Sequence, residues 1–474
     1  MNLAWQRFTL SNLPLKAYLS TSLLHHITVG FLSPCRQGSI LMLWGDPIAA
    51  IILSTLYIIA PMTSTALVGV LLGTCFLFWV LLTVSDDTSK QNTATVTPIH
   101  LVVFLYWLIA AVATALSPAK QAAIKDLITF SLYIPLFFLC ARVLLISRIR
   151  SVIITIFLHT SLFVSVYGIR QWFFGAPALA TWVDPESSLA KTTRVYSYLG
   201  NPNLLAGYLI AAVVLSAVAI FAWQTWFQKA LAVTMLVVNG SCLVLTFSRG
   251  AWIGLVAALF ALLVLLYYWW SIRMPPAVQV WLPVIVIGAI AVLFTLAIAF
   301  VEPVRERFFS IFADRKDSSN NFRRNVWDAV FKMIRDRPVI GIGPGHNAFN
   351  KIYPLYQVPG YTALSAYSIF LETIVETGFV GLAGFLWLLI VSFNVAAQQL
   401  RRLRAIEQKD AFWLMGAIAA MIGMLAHGLV DTVWYRPSVH TLWWLMLGII
   451  ASYWTPVRQN HPQDNSPYSE VANF

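Results

Sequence analysis

The sequence has little charge. Asp, Glu, Lys and Arg make up only 11% of its 474 residues, where a soluble domain averages about 25%. With a hydrophobic fraction of 59%, the chain cannot cover itself with water-facing surface. That excludes a soluble globular fold and leaves an all-α, polytopic membrane bundle; a mean hydropathy of +0.75 agrees. Cysteine is scarce too. Cys35, Cys75, Cys140 and Cys242 stand far apart, so they make neither a zinc cluster nor a disulfide framework and read as packing thiols. Acidic residues are outnumbered, 19 against 31 basic, for a net charge of +12. In a soluble protein that balance would suggest nucleic acid. Here Lys and Arg collect at span ends and on anionic headgroups, so membrane lipid is the expected partner and nucleic acid is not. No small-residue cleavage site follows a clean apolar run near the start. Residues 1–41 therefore read as an N-terminal cytoplasmic or interfacial segment, with an interfacial helix over 17–32, where His25 and His26 interrupt the apolar residues.

Long apolar runs and aromatics are what the chain has in quantity. The 19 Trp and 17 Tyr suit rings seated at the headgroup level. A spanning helix needs about 20 apolar residues, and about twelve stretches qualify. They lie near 42–60, 64–84, 99–117, 122–146, 151–169, 203–222, 229–247, 251–270, 278–301, 379–396, 412–430 and 438–454. The first is interrupted by Asp46 and Pro47. The chain thus divides into spans 1–9 over 42–301, a loop segment over 302–378, spans 10–12 over 379–454 and a cytoplasmic tail over 455–474.

Between Glu302 and Thr362 the chain stops being apolar. Arg305, Arg307, Arg315, Lys316, Arg323, Arg324, Lys332, Arg335, Arg337 and Lys351 crowd this stretch, with Glu302, Asp314, Asp317, Asp328 and Asp336 among the fewer acids. The positive-inside rule places Arg148, Arg150, Arg401, Arg402, Arg404 and Lys409 in the cytoplasm. Span parity then puts both termini inside and the long loop outside, in an inner (plasma) membrane. Four connections on the outer face carry arginine: Arg194, Arg249, the loop cluster and Arg436. Such arginines can hold lipid phosphates or pair with nearby acids. Together they point to an external anion site.

The local motifs sharpen this. Asn201-Pro202 is a good N-cap followed by proline at the first helical position. It follows Arg194, Tyr196, Tyr198 and Gly200, and a helix N-terminus attracts anions. Phe247-Ser248-Arg249-Gly250 separates two apolar runs so briefly that Arg249 must sit at the membrane boundary, where an ionisable group either snorkels or serves a function. Residues 321–337 have helical period. Phe322, Val326, Ala329, Val330, Phe331 and Ile334 gather on one side, which predicts a surface amphipathic helix ended by Pro338. The turn Gly341-Ile-Gly-Pro-Gly-His346 lacks the spacing of a nucleotide-binding loop and fits close approach to a ligand or another helix. Glu372 and Glu376 share one helix face. They are either solvated acids, partners of the loop arginines, or an acid/base group; Gly378 should break that helix. His427 and Asp431 are expected to pair in a buried setting, since no third metal ligand is evident.

In this order, Arg194 with Gly-Asn-Pro-Asn, Ser-Arg249-Gly, the loop ending in Gly-x-Gly-x-Gly and Leu-Glu-x3-Glu-x-Gly, the chain resembles the O-antigen ligase and polymerase (Wzy C-type) superfamily over roughly residues 150–450. Tyr196-Ser-Tyr-Leu-Gly-Asn-Pro-Asn, Asp317-Ser-Ser-Asn-Asn-Phe and Thr362-Ala-Leu-Ser-Ala-Tyr-Ser look most like its IctB-type branch. That branch is labelled as inorganic-carbon (bicarbonate) transporters of cyanobacteria. The resemblance implies one of two activities. One is bicarbonate accumulation; the other is transfer of a glycan from an undecaprenyl diphosphate carrier without a metal or cofactor. It implies an anionic ligand, bicarbonate or a lipid-linked diphosphate, on Arg194 and Arg249, to which the basic loop adds Arg323 and Arg324 as candidate anion-binding residues. Where the family has a His-Asn pair before Leu-Glu, this chain has Tyr367 and Ser368. A free phenol has a pKa of about 10, which departs from a histidine base. Tyr367, His346 and Glu372 are the candidate catalytic residues. The orientation is open to direct test. A reporter fused near Lys316 should be active only outside the cytoplasm, and activity confined to the inside would overturn the external site.

Overall fold

The computed structural model describes residues 3–15, 18, 21–22, 29–33, 38–39, 44–86, 96–176, 194–300, 302–309 and 318–455. Among them there is no strand. The helices are α1 (Leu3–Phe8), α2 (Gly45–Ile59), α3 (Thr65–Val84), α4 (Pro98–Ala115), α5 (Lys120–Ser131), α6 (Tyr133–Val143), α7 (Ser147–Phe174), α8 (Pro202–Ala222) and α9 (Trp226–Leu245). They continue with α10 (Arg249–Trp270), α11 (Pro276–Phe300), α12 (Glu302–Phe309), α13 (Ser318–Asp336), α14 (His346–Ile352), α15 (Ile369–Ala405), α16 (Ala411–Gly428) and α17 (Pro437–Ser452). Among the described residues 10 helical stretches are long and apolar enough to cross a membrane; α5 and α6 together make one of them. Helices α11 and α17 occupy the positions of the other two expected spans. Asp46 and Pro47 lie in the first turn of α2 and do not interrupt it. The interfacial helix expected over 17–32, the tail beyond Thr455 and Cys35 lie mostly or wholly outside the described residues; Cys75, Cys140 and Cys242 are buried free thiols.

The chain runs back and forth between two ends. At the basal end Arg150 pairs with Asp410, Arg273 with Glu407, and Arg404 donates to Ser271 Oγ at 2.8 Å. Arg142 grips Asp86 with two hydrogen bonds of 2.9 and 3.1 Å. At the other, loop end, residues 194–203, 246–249, 318–323 and 427–431 meet.

Helices α8 and α16 are the most enclosed spans, each 83% buried, and each is apolar all round, as a helix surrounded by protein must be. They form the core with α10. Between helices in lipid, small residues permit close packing where the hydrophobic effect gives little. A Cβ on Gly254 would stand 2.7 Å from the Gly423 carbonyl, and one on Gly423 would stand 2.6 Å from Ala258 Cβ. Backbone therefore touches backbone where α10 crosses α16. A buried amide ties α7, α8 and α9 together: Asn239 accepts from Ser165 at 2.7 Å and donates to Ser161 at 3.2 Å and Ser216 at 3.3 Å.

The loop segment carries its own small core of Val326, Ala329, Val330, Met333, Ile342, Phe349, Tyr353 and Val375. Helix α13 starts a turn earlier than the apolar pattern suggests, and Phe331 is exposed while Met333 is buried in its place. The glycine-rich turn meets another helix. Gly378 breaks α15 at φ 69° and ψ −172°, a conformation essentially restricted to glycine. A regular helix would bond the Phe379 and Val380 N–H groups to the carbonyls of Val375 and Glu376. Instead Phe379 donates to Pro338 at 2.8 Å and Val380 to Val339 at 3.4 Å. The freed carbonyls accept from Ile342 and Gly343, each at 2.9 Å. Residues 338–343 thus satisfy the broken backbone, which a membrane segment cannot leave open. Gly378→Ala would place a Cβ against the Val339 carbonyl. It should destabilise the protein by at least about 3 kcal/mol, the upper range for a strained backbone residue, seen as a lower thermal midpoint in detergent.

Candidate anion-binding site

The site is built where the core helices end. Asn201 caps α8 from extended backbone; its side chain accepts from the N–H groups of Asn203 (2.8 Å) and Leu204 (3.4 Å), with Pro202 at the first position. That cap aims Asn203 at the loop end. Its Oδ1 accepts from Arg194 Nη2 at 2.9 Å and its Nδ2 donates to Asp431 Oδ2 at 2.7 Å. Arg194 Nε also donates to the Thr246 carbonyl at 2.9 Å, in the link between α9 and α10. Arg249, the first residue of α10, is buried and donates to Asn320 Oδ1 at 3.0 Å. Arg323 on α13 donates to Ser319 Oγ at 2.9 Å, and its Nη2 stands 3.6 Å from Asp431 Oδ2.

Three arginines and one carboxylate therefore share one electrostatic neighbourhood. Burial first, then repulsion by Arg323 and Arg249 against attraction by Asp431, bring the Arg194 pKa down to about 10. It remains a cation at neutral pH. Tyr367 stands beside this group at φ 50° with Phe322 edge-on at 5.4 Å. Burial pushes its phenol above the ordinary tyrosine range, with Asp431 and Tyr435 adding to the shift and Arg323 opposing it. It is a neutral hydroxyl near pH 7, unsuited to act as a base.

The other expected site residues are held by different partners, although Glu372 is felt electrostatically at Tyr367. Arg324 is exposed on α13. His346 is exposed at the start of α14, where Asp126 accepts from Asn347 N at 2.8 Å and Asn347 Nδ2 at 2.6 Å. Glu372 is buried and accepts from the Ala366 N–H, while Glu376 is half-buried and accepts from Gly345 N at 2.7 Å. Both acids hold backbone turns together; they are neither solvated nor hydrogen-bonded to the loop arginines. Arg436 lines a separate polar cavity of about 110 Å³ with Thr63, Thr65, Tyr198 and Ser438. The expected His427–Asp431 pair is not made. Asp431 turns to Asn203 and Arg323, and both ring nitrogens of the fully buried His427 lack a hydrogen-bond partner. Asn203 and Asn320 escaped the sequence reading. Their signal was the position of each in the first turn of a helix, where a short amide can reach a neighbouring side chain.

Residues 230–386 match the O-antigen ligase family model. The chain is accordingly an integral membrane protein with an O-antigen ligase-like region. No curated protein matches it. The matched region supplies Arg249, Arg323, Tyr367 and Glu372. Arg194 and Asn203 come from before it and Asp431 from after it, so the O-antigen ligase-like region alone holds only part of the cluster. Among the described residues no group of three or more His, Cys, Asp or Glu is placed to hold a metal ion. Asn203→Ala would strip a hydrogen bond from Asp431 and one from Arg194. Leaving a buried charged group short of a partner should cost about 1–3 kcal/mol, measurable by thermal unfolding in detergent; an unchanged midpoint would show that the amide bridge carries no load.

Proposed function

We propose that this chain binds the diphosphate of a lipid-linked glycan at Arg194, Arg249 and Arg323, and acts as an O-antigen ligase-like, metal-independent glycosyltransferase. The observation that carries the reading is the gathering of three buried or half-buried arginines in one electrostatic neighbourhood, where, among the described residues, Asp431 is the acid that faces Arg194 and Arg323. Planar guanidinium groups bind phosphate oxygens through paired N–H donors. Their place at the ends of spans suits a ligand whose isoprenoid tail stays in the bilayer. The reading also takes the loop end to face outward from the plasma membrane, with both termini in the cytoplasm. Tyr367 serves as a neutral donor beside the bound group.

Bicarbonate transport, the activity implied by the closer resemblance, needs a path across the hydrocarbon, ideally at broken helices near the midplane. In the ten spans every Asp, Glu, Lys and Arg lies within about two turns of a helix end. The break in α15 is filled by residues 338–343. Mid-depth chemistry therefore lends that reading no support.

The test uses geranylgeranyl diphosphate in detergent, with binding followed by thermophoresis. Arg249→Ala and Arg323→Ala should each weaken binding by at least about thirtyfold, since losing one partner of a desolvated charge pair costs about 2–5 kcal/mol. Geranylgeraniol, which lacks the diphosphate, should not bind at this site. Equal affinity of the wild-type protein and both variants for the diphosphate would refute the reading.

A further inference from the structure

The site contains one group that repels the proposed ligand, and that group is held by the residues that would bind it. Asp431 engages Arg323 at 3.6 Å and Asn203 at 2.7 Å, and Asn203 in turn occupies Arg194 Nη2 at 2.9 Å. In this arrangement the carboxylate stands where an anion would stand. Arg323 cannot present its full fork to a phosphate while Asp431 holds one tip of it.

A second observation comes from what lies unbonded around it. Buried polar groups in folded proteins are almost always paired, and each exception needs an explanation. Among the described residues ten side-chain atoms are such exceptions, and five of them lie on Arg323, on His427 or in residues 432–434. Arg323 Nε, both ring nitrogens of His427, Thr432 Oγ1 and Trp434 Nε1 are buried without hydrogen-bond partners. Arg323 holds Asp431, Thr432 is its neighbour in the chain, and His427 lies about one turn earlier and is electrostatically coupled to it. Asp431 lies in the link Leu429–Arg436 between two helices, just before the short 3-10 turn Val433–Tyr435, and links of that kind absorb local rearrangement more readily than packed helices.

We propose that Asp431 is a built-in counter-anion with two sets of partners. With the site free, it neutralises Arg323 and is steadied by Asn203. When a diphosphate enters, the carboxylate gives up Arg323 and takes donors from the unpartnered set, Thr432 Oγ1 and the His427 ring. Arg323 Nε and its fork then face the ligand. The acid thus keeps a triple-arginine site from holding unspecific anions and sets a threshold that a doubly charged ligand passes and a singly charged one does not. This inference rests on the diphosphate reading and adds the control of that same site.

The experiment again measures geranylgeranyl diphosphate in detergent, beside dihexadecyl phosphate, a phosphodiester that carries a single negative charge. Asp431→Asn removes the competing charge while keeping the amide bridge to Asn203 possible. It should bind the diphosphate about tenfold tighter, because a like charge in the site opposes binding and the rearrangement relieves only part of that opposition. It should gain still more for the phosphodiester, so that the preference for the diphosphate narrows. Unchanged or weaker binding by a folded Asp431→Asn protein overturns the proposal. Should that variant not fold, Thr432→Val decides: it removes one waiting donor without changing shape, and several-fold weaker binding at an unchanged thermal midpoint supports the switch, while unaltered affinity overturns it. Failure here is distinct from failure of the diphosphate reading. If Arg249→Ala and Arg323→Ala lose binding but Asp431→Asn does not gain it, the site stands and the counter-anion role falls.

Discussion

Everything at the loop end depends on how closely α10 approaches α16. Gly254 and Gly423 let the two backbones touch, and lipid offers little hydrophobic gain to drive helices together, so packing of this kind has to hold the core. Once the crossing is set, the start of α10 and the end of α16 are fixed beside each other. The first carries Arg249 and the second leads into Asp431. Helix α8 packs against the same pair, and its capped start brings Asn203 to the same place. A charged cluster at a membrane boundary needs rigid support, because loose arginines would snorkel to the headgroups.

The second constraint is the backbone itself. An N–H or carbonyl left unpaired in lipid costs several kcal/mol, so the break at Gly378 requires a partner segment. Residues 338–343 supply it with four hydrogen bonds, and the same contact pins the start of the loop's small core. Glu376 on Gly345 and Asp126 on Asn347 add two more clamps. Helix α13 is thereby held over the core, which is how Arg323 comes to reach Asp431. The apparent ligand-binding turn is a structural plug, and its service to the site is indirect.

Most of the architecture was legible in the sequence, and for a simple reason. A spanning helix is defined by length and apolar composition, both local properties. Each expected span therefore overlies observed helix, most with ends within about five residues, although α15 runs on to Ala405, past the expected end at 396, and the expected 122–146 is divided between α5 and α6; Gly378 announced a break that the backbone shows. The amphipathic helix over 321–337 was equally local; only Phe331 and Met333 exchanged places, because a neighbour's contour, rather than period alone, selects the buried stripe.

The site was less legible, because it is made of pairings between distant residues. Arg194 and Arg249 could be singled out one at a time, since each breaks an apolar context. That Asp431 would leave His427 for Arg323 and Asn203 could not be read from spacing. The two residues are four apart, but the helix ends at Gly428 and the chain turns away. Likewise Glu372 and Glu376 share a face as expected, yet their partners are backbone N–H groups brought in by other segments. Composition and period by themselves determined that this chain crosses a membrane many times and gathers positive charge at one end, since both follow from what water and lipid tolerate residue by residue. Which arginines gather, and that Asp431 turns to Arg323 and Asn203, was decided only by the tertiary structure, because a charge's partner is set by the helix that happens to end beside it.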